Sequence, residues 1–353
     1  MVDTIRLIIK GLKIDSNKCE KLTWTDYPGR DSMKCKYNAC ICKFITGDKE
    51  VHGSSFKVQG GLYMISGRPK DQFLYTVFPK VLNPRHNLNP YNKDQAKLAL
   101  NKLYNSLCED GIELELENLL LSRVDLFKNI YLNHPFESYT PLFETLRASR
   151  LKKLPHESSW YFNNTLRGII IYDKKGQMKD TQNIEKSNTS IVRFEYRMKK
   201  RQKCKNDLPF DTFGELIDGW DSLPSIYHKL MTEFIFKSAD KYSVKKCDAK
   251  SDLDELIWFH DNFSRRWFEK YLLVNGASKV MEKVGDIDLV HRELIDNSLS
   301  SYPMRQITIL NSYLLMNGEK SEYGASVREM YDEIRSELLK PVDDYLDESE
   351  MIP

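Results

Sequence analysis

The sequence lacks an apolar run that approaches the roughly 18 consecutive residues a bilayer-spanning segment needs. Glycine and proline are scarce, with 16 and 13 residues among 353, which excludes a collagen-like or low-complexity chain. The first ten residues include Asp3, Arg6 and Lys10 and therefore lack the apolar centre of a signal peptide. We expect a globular, intracellular protein with no membrane partner.

The sequence has only seven cysteines. Because this number is odd, they cannot all pair with one another, which argues against a closed disulfide framework. The tightest group is Cys35, Cys40 and Cys42. No second CxxC motif or histidine pair lies nearby to complete a tetrahedral zinc site. Reduced thiols in and around a strand are the preferred interpretation, and zinc is the alternative.

An excess of one charge is also missing, because 53 basic residues face 51 acidic ones and the net charge is +2. The basic residues are unevenly placed. Residues 193–205 hold seven basic side chains and one acidic side chain, whereas residues 343–350 hold five acidic side chains and no basic one. A short basic stretch in a balanced chain indicates a surface that faces phosphate, with a solvated strand end as the alternative.

Strand patterns dominate the N-terminal part of the chain. Residues 54–67 predict a hairpin that bends at Gly60-Gly61, and residues 72–82 predict an extended run in which Pro79 marks an edge, a bulge or a strand end. Residues 92–108 predict a helix with an N-terminal cap and a buried face. This mixture predicts an α+β domain, with a mostly antiparallel sheet and helices on one face.

Helical patterns replace the strand patterns after Pro209. Asp252 with Glu255 and Ser326 with Glu329 are two capping boxes, each followed by apolar residues at helical spacing. We therefore predict two domains, an α+β domain over 1–206 and a mainly helical domain over 207–353.

Two of the predicted strands share an unusual polar pattern. Alternation along the first places Arg123 and Asp125 on one face, and alternation along the second does the same for Arg193, Glu195 and Arg197. If the two strands are neighbours, their carboxylates converge and could bind a hard divalent cation, with arginine placed to contact phosphate. The alternative is a set of cross-strand ion pairs on an exposed sheet face.

Two further positions carry reactive groups. His86 lies in a polar loop after a predicted strand, where a neutral imidazole can complete a metal site or can simply be solvated. Tyr172 follows three isoleucines and precedes Asp173 and Lys174, which we expect to begin a polar turn. The tyrosine either packs against the core or acts as a nucleophile, in which case a metal or a basic neighbour must favour loss of its proton.

The order of these segments resembles the gene II/X family of phage and plasmid replication proteins, typified by the rolling-circle initiator of filamentous phages. The resemblance covers roughly residues 1–215. Arg85 stands where the family usually has glycine, and the helical C-terminal part matches only loosely. The collinear segments are FPKVL at 78–82, RHN at 85–87, LSRVD at 121–125, IIYDK at 170–174, IVRFEYRMK at 191–199 and LP at 208–209.

The resemblance implies an origin-specific DNA nickase with a fold like that of the histidine–hydrophobe–histidine (HUH) endonucleases. It implies transesterification assisted by Mg²⁺ or Mn²⁺, in which Tyr172 attacks with the help of Lys174, forms a 5′-phosphotyrosine bond and frees a 3′-hydroxyl. This sequence has no two histidines spaced two apart. The implied metal ligands are therefore Asp125, Glu195 and His86, and the reserve nucleophile is Tyr196.

The implied partner is DNA, as a single-stranded or supercoiled replication origin in the cytoplasm of a bacterial host, together with host replication proteins. The residues expected to contact DNA are all basic and lie on or beside the segments named above: Lys80, Arg123, Arg193, Arg197, Lys199, Lys200 and Arg201.

Two other functions fit the same pattern. A relaxase or transposase of related fold would use the same chemistry in another biological setting, and a DNA-binding protein without nuclease activity would use only the basic stretch. A helix-turn-helix motif within 304–339 is disfavoured, because the segment between its two helices is too long for the tight turn of that motif.

Overall fold

The protein is described from a computed structural model. The structure describes residues 1–10, 12–14, 23–27, 55–68, 71–84, 87–146, 148, 150–156, 159–179, 190–236 and 327–340. Within these ranges no helix has both the length and the apolar character needed to cross a membrane. The cysteine group at 35–42 and the capping box at Asp252 lie outside the described residues.

Ten strands of the described residues form one sheet, in the order β3-β4-β5-β6-β1-β8-β12-β11-β10-β9. A further pair, β2 and β7, forms a separate two-stranded ladder. The strands are β1 (Val2–Ile9), β2 (Lys13–Ile14), β3 (Thr23–Tyr27), β4 (Ser55–Gln59), β5 (Met64–Arg68), β6 (Asp71–Val77), β7 (Ile112–Glu113), β8 (Leu120–Leu132), β9 (Lys152–His156), β10 (Ser159–Asn163), β11 (Arg167–Asp173) and β12 (Ser190–Met198).

The strand pairs whose register is described are all antiparallel, and β1 lies between β6 and β8. The predicted hairpin is present, since β4 pairs with β5 and the amide of Gly60 donates to the carbonyl of Tyr63 at 3.0 Å. The run that contains Pro79 ends as a strand at Val77 and continues as a 3₁₀ turn over Phe78–Lys80. The α+β class with a mostly antiparallel sheet is therefore confirmed.

Seven α-helices are described, and most are short. The longest begins after Asn92, whose side chain accepts from the amide of Gln95 at 2.8 Å, and is followed by Gly111 at a positive φ of 78°. This is the helix and the cap that the sequence predicts. The helices are α1 (Lys93–Glu109), α2 (Thr140–Thr145), α3 (Lys174–Lys179), α4 (Arg201–Asp207), α5 (Phe213–Asp218), α6 (Leu223–Met231) and α7 (Val327–Leu339).

The chain divides into two compact units, each assembled from separate stretches. Unit 1 comprises Met1–Asn129, Asn163–Ile170 and Arg193–Leu230. Unit 2 comprises Ile130–Phe162, Ile171–Val192 and Met231–Pro353. The division at residue 206 and a separate helical C-terminal domain stay predictions.

The core of unit 1 comes from apolar residues on one face of its strands and one face of α1. Ile5 pairs with Val124 between β1 and β8, and both side chains are fully buried. An aromatic cluster lies beside α1, where the indole nitrogen of Trp220 donates to the carbonyl of Tyr91 at 2.7 Å. The ring of Phe78 packs against Tyr91 and Trp220, with both centroids within 5.7 Å.

Unit 2 has its own apolar core around Phe143, whose ring centroid lies 4.8 Å from that of Trp160. Helix α7 contributes Glu333 to this unit. Its carboxylate accepts from the hydroxyl of Tyr139 at 2.8 Å and from the amide of Asn133 at 2.9 Å. These contacts attach a helix that is distant in sequence to the loop after β8.

Candidate functional site

The candidate site lies in unit 1, where β8 and β12 are neighbours in the sheet. On β8, Arg123 Nε donates to both carboxylate oxygens of Asp125, at 2.9 and 3.1 Å. On β12, Arg197 Nε donates to Glu195 Oε1 at 2.8 Å and lies 3.6 Å from Asp125 Oδ2. One guanidinium therefore contacts both carboxylates, and the predicted convergence of Asp125 and Glu195 is observed.

Burial separates the two signs of charge in this cluster. The side chains of Asp125 and Glu195 are 0% and 1% exposed, whereas those of Arg123 and Arg197 are 27% and 30% exposed. The solvent therefore meets guanidinium groups, and the carboxylates lie in the protein interior. The alternative predicted arginine–carboxylate ion pairs on an exposed sheet face. The ion pairs are present, including the contact of Arg197 with Asp125 between β12 and β8, but the carboxylates are fully buried rather than exposed.

Glu195 is the least satisfied member of the cluster. Its Oε2 atom is buried and has no hydrogen-bond partner, although most buried polar atoms of native proteins have one. Burial raises the pKa of this carboxyl to about 7, with a further contribution from the charge of Asp3 and with Arg197 opposing the shift. Burial also raises the pKa of Asp125 from its ordinary value, against the lowering effect of Arg123.

Arg193 shares the predicted face with Glu195 but is fully buried. Its guanidinium donates to Asp3 Oδ1 at 2.9 Å, to Asn129 Oδ1 at 2.8 Å and to the carbonyl of Asn87, and it stacks 3.9 Å from the ring centroid of Phe127. A side chain with this many internal partners and no exposed surface does not reach a DNA phosphate. The prediction that Arg193 contacts DNA is therefore corrected, since this residue ties three strands and a loop together.

Two basic side chains of the stretch after β12 have hydrogen-bond or ion-pair partners within the protein. The ammonium group of Lys199 donates to Asn163 Oδ1 and, at 3.0 Å, to the carbonyl of Asn164. Arg201 forms an ion pair with Asp211 at 2.8 Å. Lys200 is exposed, as is Lys80 in the turn after β6, so both are available to a phosphate.

Tyr172 lies at the end of β11 in unit 2, where its side chain is partly exposed. The ammonium group of Lys174 lies 5.8 Å from the centroid of its ring and donates to Gln177 Oε1 at 2.8 Å. Lys174 is buried and begins α3, so the prediction of a polar turn at this point is wrong. The predicted proximity of its charge to the tyrosine is observed.

The reserve nucleophile, Tyr196, is poorly suited to attack. Its ring is fully buried, and its hydroxyl donates to Asp207 Oδ2 at 2.8 Å. Burial and the neighbouring carboxylate raise the pKa of Tyr196 far above its ordinary value, so the phenolate is strongly disfavoured.

A divalent ion would find a partial set of ligands here. Glu195 offers one unpaired carboxylate oxygen, but both oxygens of Asp125 are engaged by Arg123. Across the described ranges, no group of three or more histidine, cysteine, aspartate or glutamate side chains is arranged to hold a metal. The third predicted ligand, His86, lies outside the described residues.

Sequence reasoning missed Asp3 and the aromatic neighbours of Arg6. Asp3 Oδ1 accepts from Arg193 and, at 2.6 Å, from the amide group of Asn87. Arg6 lies over the ring of Phe73. A polar residue inside an otherwise apolar strand pattern was the available signal for both, but their partners come from distant parts of the sequence.

No protein-family model matches this chain, and a search of curated proteins finds no match either.

Proposed function

We propose that the protein is a DNA nickase that initiates rolling-circle replication through a phosphotyrosine intermediate. The observation that carries the proposal is the buried, unpaired oxygen of Glu195, next to Asp125 and below two partly exposed arginines. A buried carboxylate oxygen without a partner destabilises the fold, and such groups cluster at functional sites. The guanidinium groups supply positive charge where a phosphodiester would approach.

Mg²⁺ or Mn²⁺ is the proposed cofactor, because hard divalent cations favour carboxylate oxygens. Glu195 has one carboxylate oxygen without a hydrogen-bond partner that could ligate such an ion, whereas both oxygens of Asp125 accept from Arg123 and one would have to be released. His86 is the proposed third ligand. When bound, the ion would stabilise negative charge on the phosphodiester.

Tyr172 is the proposed nucleophile. Its partly exposed side chain lies beside the buried ammonium group of Lys174, and a positive charge near the ring lowers the cost of forming the phenolate. In the reaction, the tyrosine hydroxyl loses its proton to solvent and the phenolate oxygen bonds to phosphorus. The bond from phosphorus to the 3′-oxygen breaks, and that oxygen takes up a proton. One ester bond replaces another, so the strand can later be rejoined by the reverse reaction.

A second candidate is a DNA-binding protein without nuclease activity. The observation that favours it is the contact of Arg123 with both carboxylate oxygens of Asp125. Such two-bond pairs are common structural ion pairs, and this one occupies the oxygens that a metal ion would need. A relaxase or transposase would share the chemistry of the first proposal, and only the identity of the cleaved DNA would distinguish it.

Incubation of the full chain with Mg²⁺ and supercoiled DNA of its own genetic element tests the proposal. We expect nicked circles and a covalent protein–DNA adduct that maps to Tyr172 by mass spectrometry. Tyr172→Phe should abolish both products while leaving DNA binding intact, because the change removes only the hydroxyl. Tyr161→Phe is the matched control, since Tyr161 is another partly exposed strand tyrosine of unit 2 and should retain full activity.

Two outcomes would contradict the proposal. An adduct that still forms in Tyr172→Phe would remove this residue from the reaction. DNA binding without any nicking in Mg²⁺ or Mn²⁺ would favour the non-catalytic candidate.

A further inference from the structure

One face of the sheet in unit 1 carries a row of arginine and aromatic side chains. Tyr75 on β6 pairs with Arg6 on β1, and Arg6 pairs with Arg123 on β8. Directly paired residues lie on the same face of a sheet, so these three side chains form a continuous row across three strands. All three are partly exposed, whereas Ile5, the neighbour of Arg6 in β1, is buried on the opposite face.

Arg6 is held in a fixed position within this row. Its guanidinium carbon lies 5.0 Å from the ring centroid of Phe73 and 5.7 Å from that of Tyr75. Its Nε donates to Ser122 Oγ at 3.0 Å, and its Nη2 donates to the carbonyl of Lys199 at 2.9 Å. The two rings lie edge to face with centroids 6.5 Å apart. The row therefore presents rigid π surfaces beside a fixed positive charge.

The positive charge continues from Arg6 toward β12. Arg123 and Arg197 are partly exposed on the same face, and their carboxylate partners are buried beneath them. Lys199 follows at the end of β12, where burial and the charges of Arg197 and Arg123 lower its pKa. Several cations thus crowd onto one surface, and an anion that bridged them would relieve their mutual repulsion.

We propose that this surface, the arginine–aromatic row of Arg6, Phe73, Tyr75, Arg123, Arg197 and Lys199, binds single-stranded nucleic acid. The cations would contact backbone phosphates, while Phe73 and Tyr75 would stack on unpaired bases. In a duplex the faces of the bases are stacked on one another, so duplex DNA could use the cations but not the rings. The inference rests on the proposed function for the choice of DNA, and it adds the residues that would select single strands.

Fluorescence anisotropy with a labelled oligothymidylate of about 15 nucleotides tests the row, with the matching duplex as competitor. The measurement is made with the full chain in EDTA, so that cleavage does not contribute. We expect Phe73→Leu and Tyr75→Leu each to weaken single-strand binding about five-fold or more, and to change duplex binding little. Tyr75→Phe should bind like the wild type, because it keeps the ring.

Tyr104→Leu is the control, since Tyr104 is an aromatic residue of α1 that is 48% exposed and lies outside the row. It should leave binding unchanged, and thermal melting should show that all the variants remain folded. Equal binding by wild type and both leucine variants would overturn the inference, and so would an equal loss of single-strand and duplex binding. Because EDTA excludes cleavage, a failure to find nicking would overturn the proposed function and leave this result intact.

Discussion

Replacement of Arg193 by methionine should destabilise unit 1 severely. The change removes the donors to Asp3, Asn129 and the carbonyl of Asn87, and it leaves the largely buried carboxylate of Asp3 without its cation. Removing one partner of a buried ion pair costs about 3–5 kcal/mol. This is a large fraction of the roughly 5–15 kcal/mol that stabilises a typical domain.

Urea denaturation, followed by tryptophan fluorescence to which the buried Trp220 contributes, measures this loss. Arg201→Met is the matched control, because Arg201 forms a partly exposed ion pair with Asp211 that should contribute only about 0–1 kcal/mol. A second variant, Arg193→Met with Asp3→Asn, removes both charges and should recover part of the stability.

The reasoning would be refuted if Arg193→Met were as mild as Arg201→Met. It would also be refuted if Arg193→Met left stability unchanged and weakened DNA binding, because that result would return Arg193 to the set of phosphate contacts.

Two further predictions concern charge. The pKa of about 7 for Glu195 lies above its ordinary value of 4.5, so the folded state binds the extra proton and the free energy of unfolding of the wild type should fall as pH rises from about 4.5 to 7. In urea denaturation, the stability of Glu195→Gln relative to the wild type should therefore be about 1–3 kcal/mol higher at pH 8 than at pH 5, and the variant should lose nicking in Mg²⁺. An equal effect of the substitution at both pH values would contradict the pKa shift. Replacing Lys199, Lys200 and Arg201 with glutamine should weaken binding to all DNA sequences alike and reduce the slope of log K against log salt concentration by about 0.9 per lost phosphate contact. Lys97→Gln on α1 is the control and should leave both the affinity and the slope unchanged. An unaltered slope in the triple variant would show that this stretch does not contact DNA.

Local patterns predicted local structure well. The cap at Asn92 and the placement of Arg123 and Asp125 on one face of β8 depend on residues only a few positions apart, and both are present. The convergence of Asp125 with Glu195 was conditional on strand order, which alternation alone does not supply. Sequence patterns therefore predict which residues share a face of β8 or of β12, but they do not predict that β8 and β12 are neighbours in the sheet.

The burial of Arg193 and Lys174 could not be read from the sequence. Arg193 is covered because β1 and the loop at Asn87 bring polar partners from far along the chain. Lys174 is buried at the start of a short helix, which the sequence around it does not predict. Charge alone favours an exposed position, and at Arg193 long-range contacts reverse that preference.

The contrast between Arg193 and Glu195 is the strongest argument for a functional site on β12. The two residues lie two positions apart, share one face of the strand and are almost equally buried. Every nitrogen of the Arg193 guanidinium has a described hydrogen-bond partner, and one carboxylate oxygen of Glu195 has none. An unmet partner at a buried polar atom costs about 1–3 kcal/mol, and the fold retains that cost at Glu195 while it satisfies Arg193 in full. The unpaired Oε2 of Glu195 is therefore the atom at which a ligand or a reacting group should be sought first.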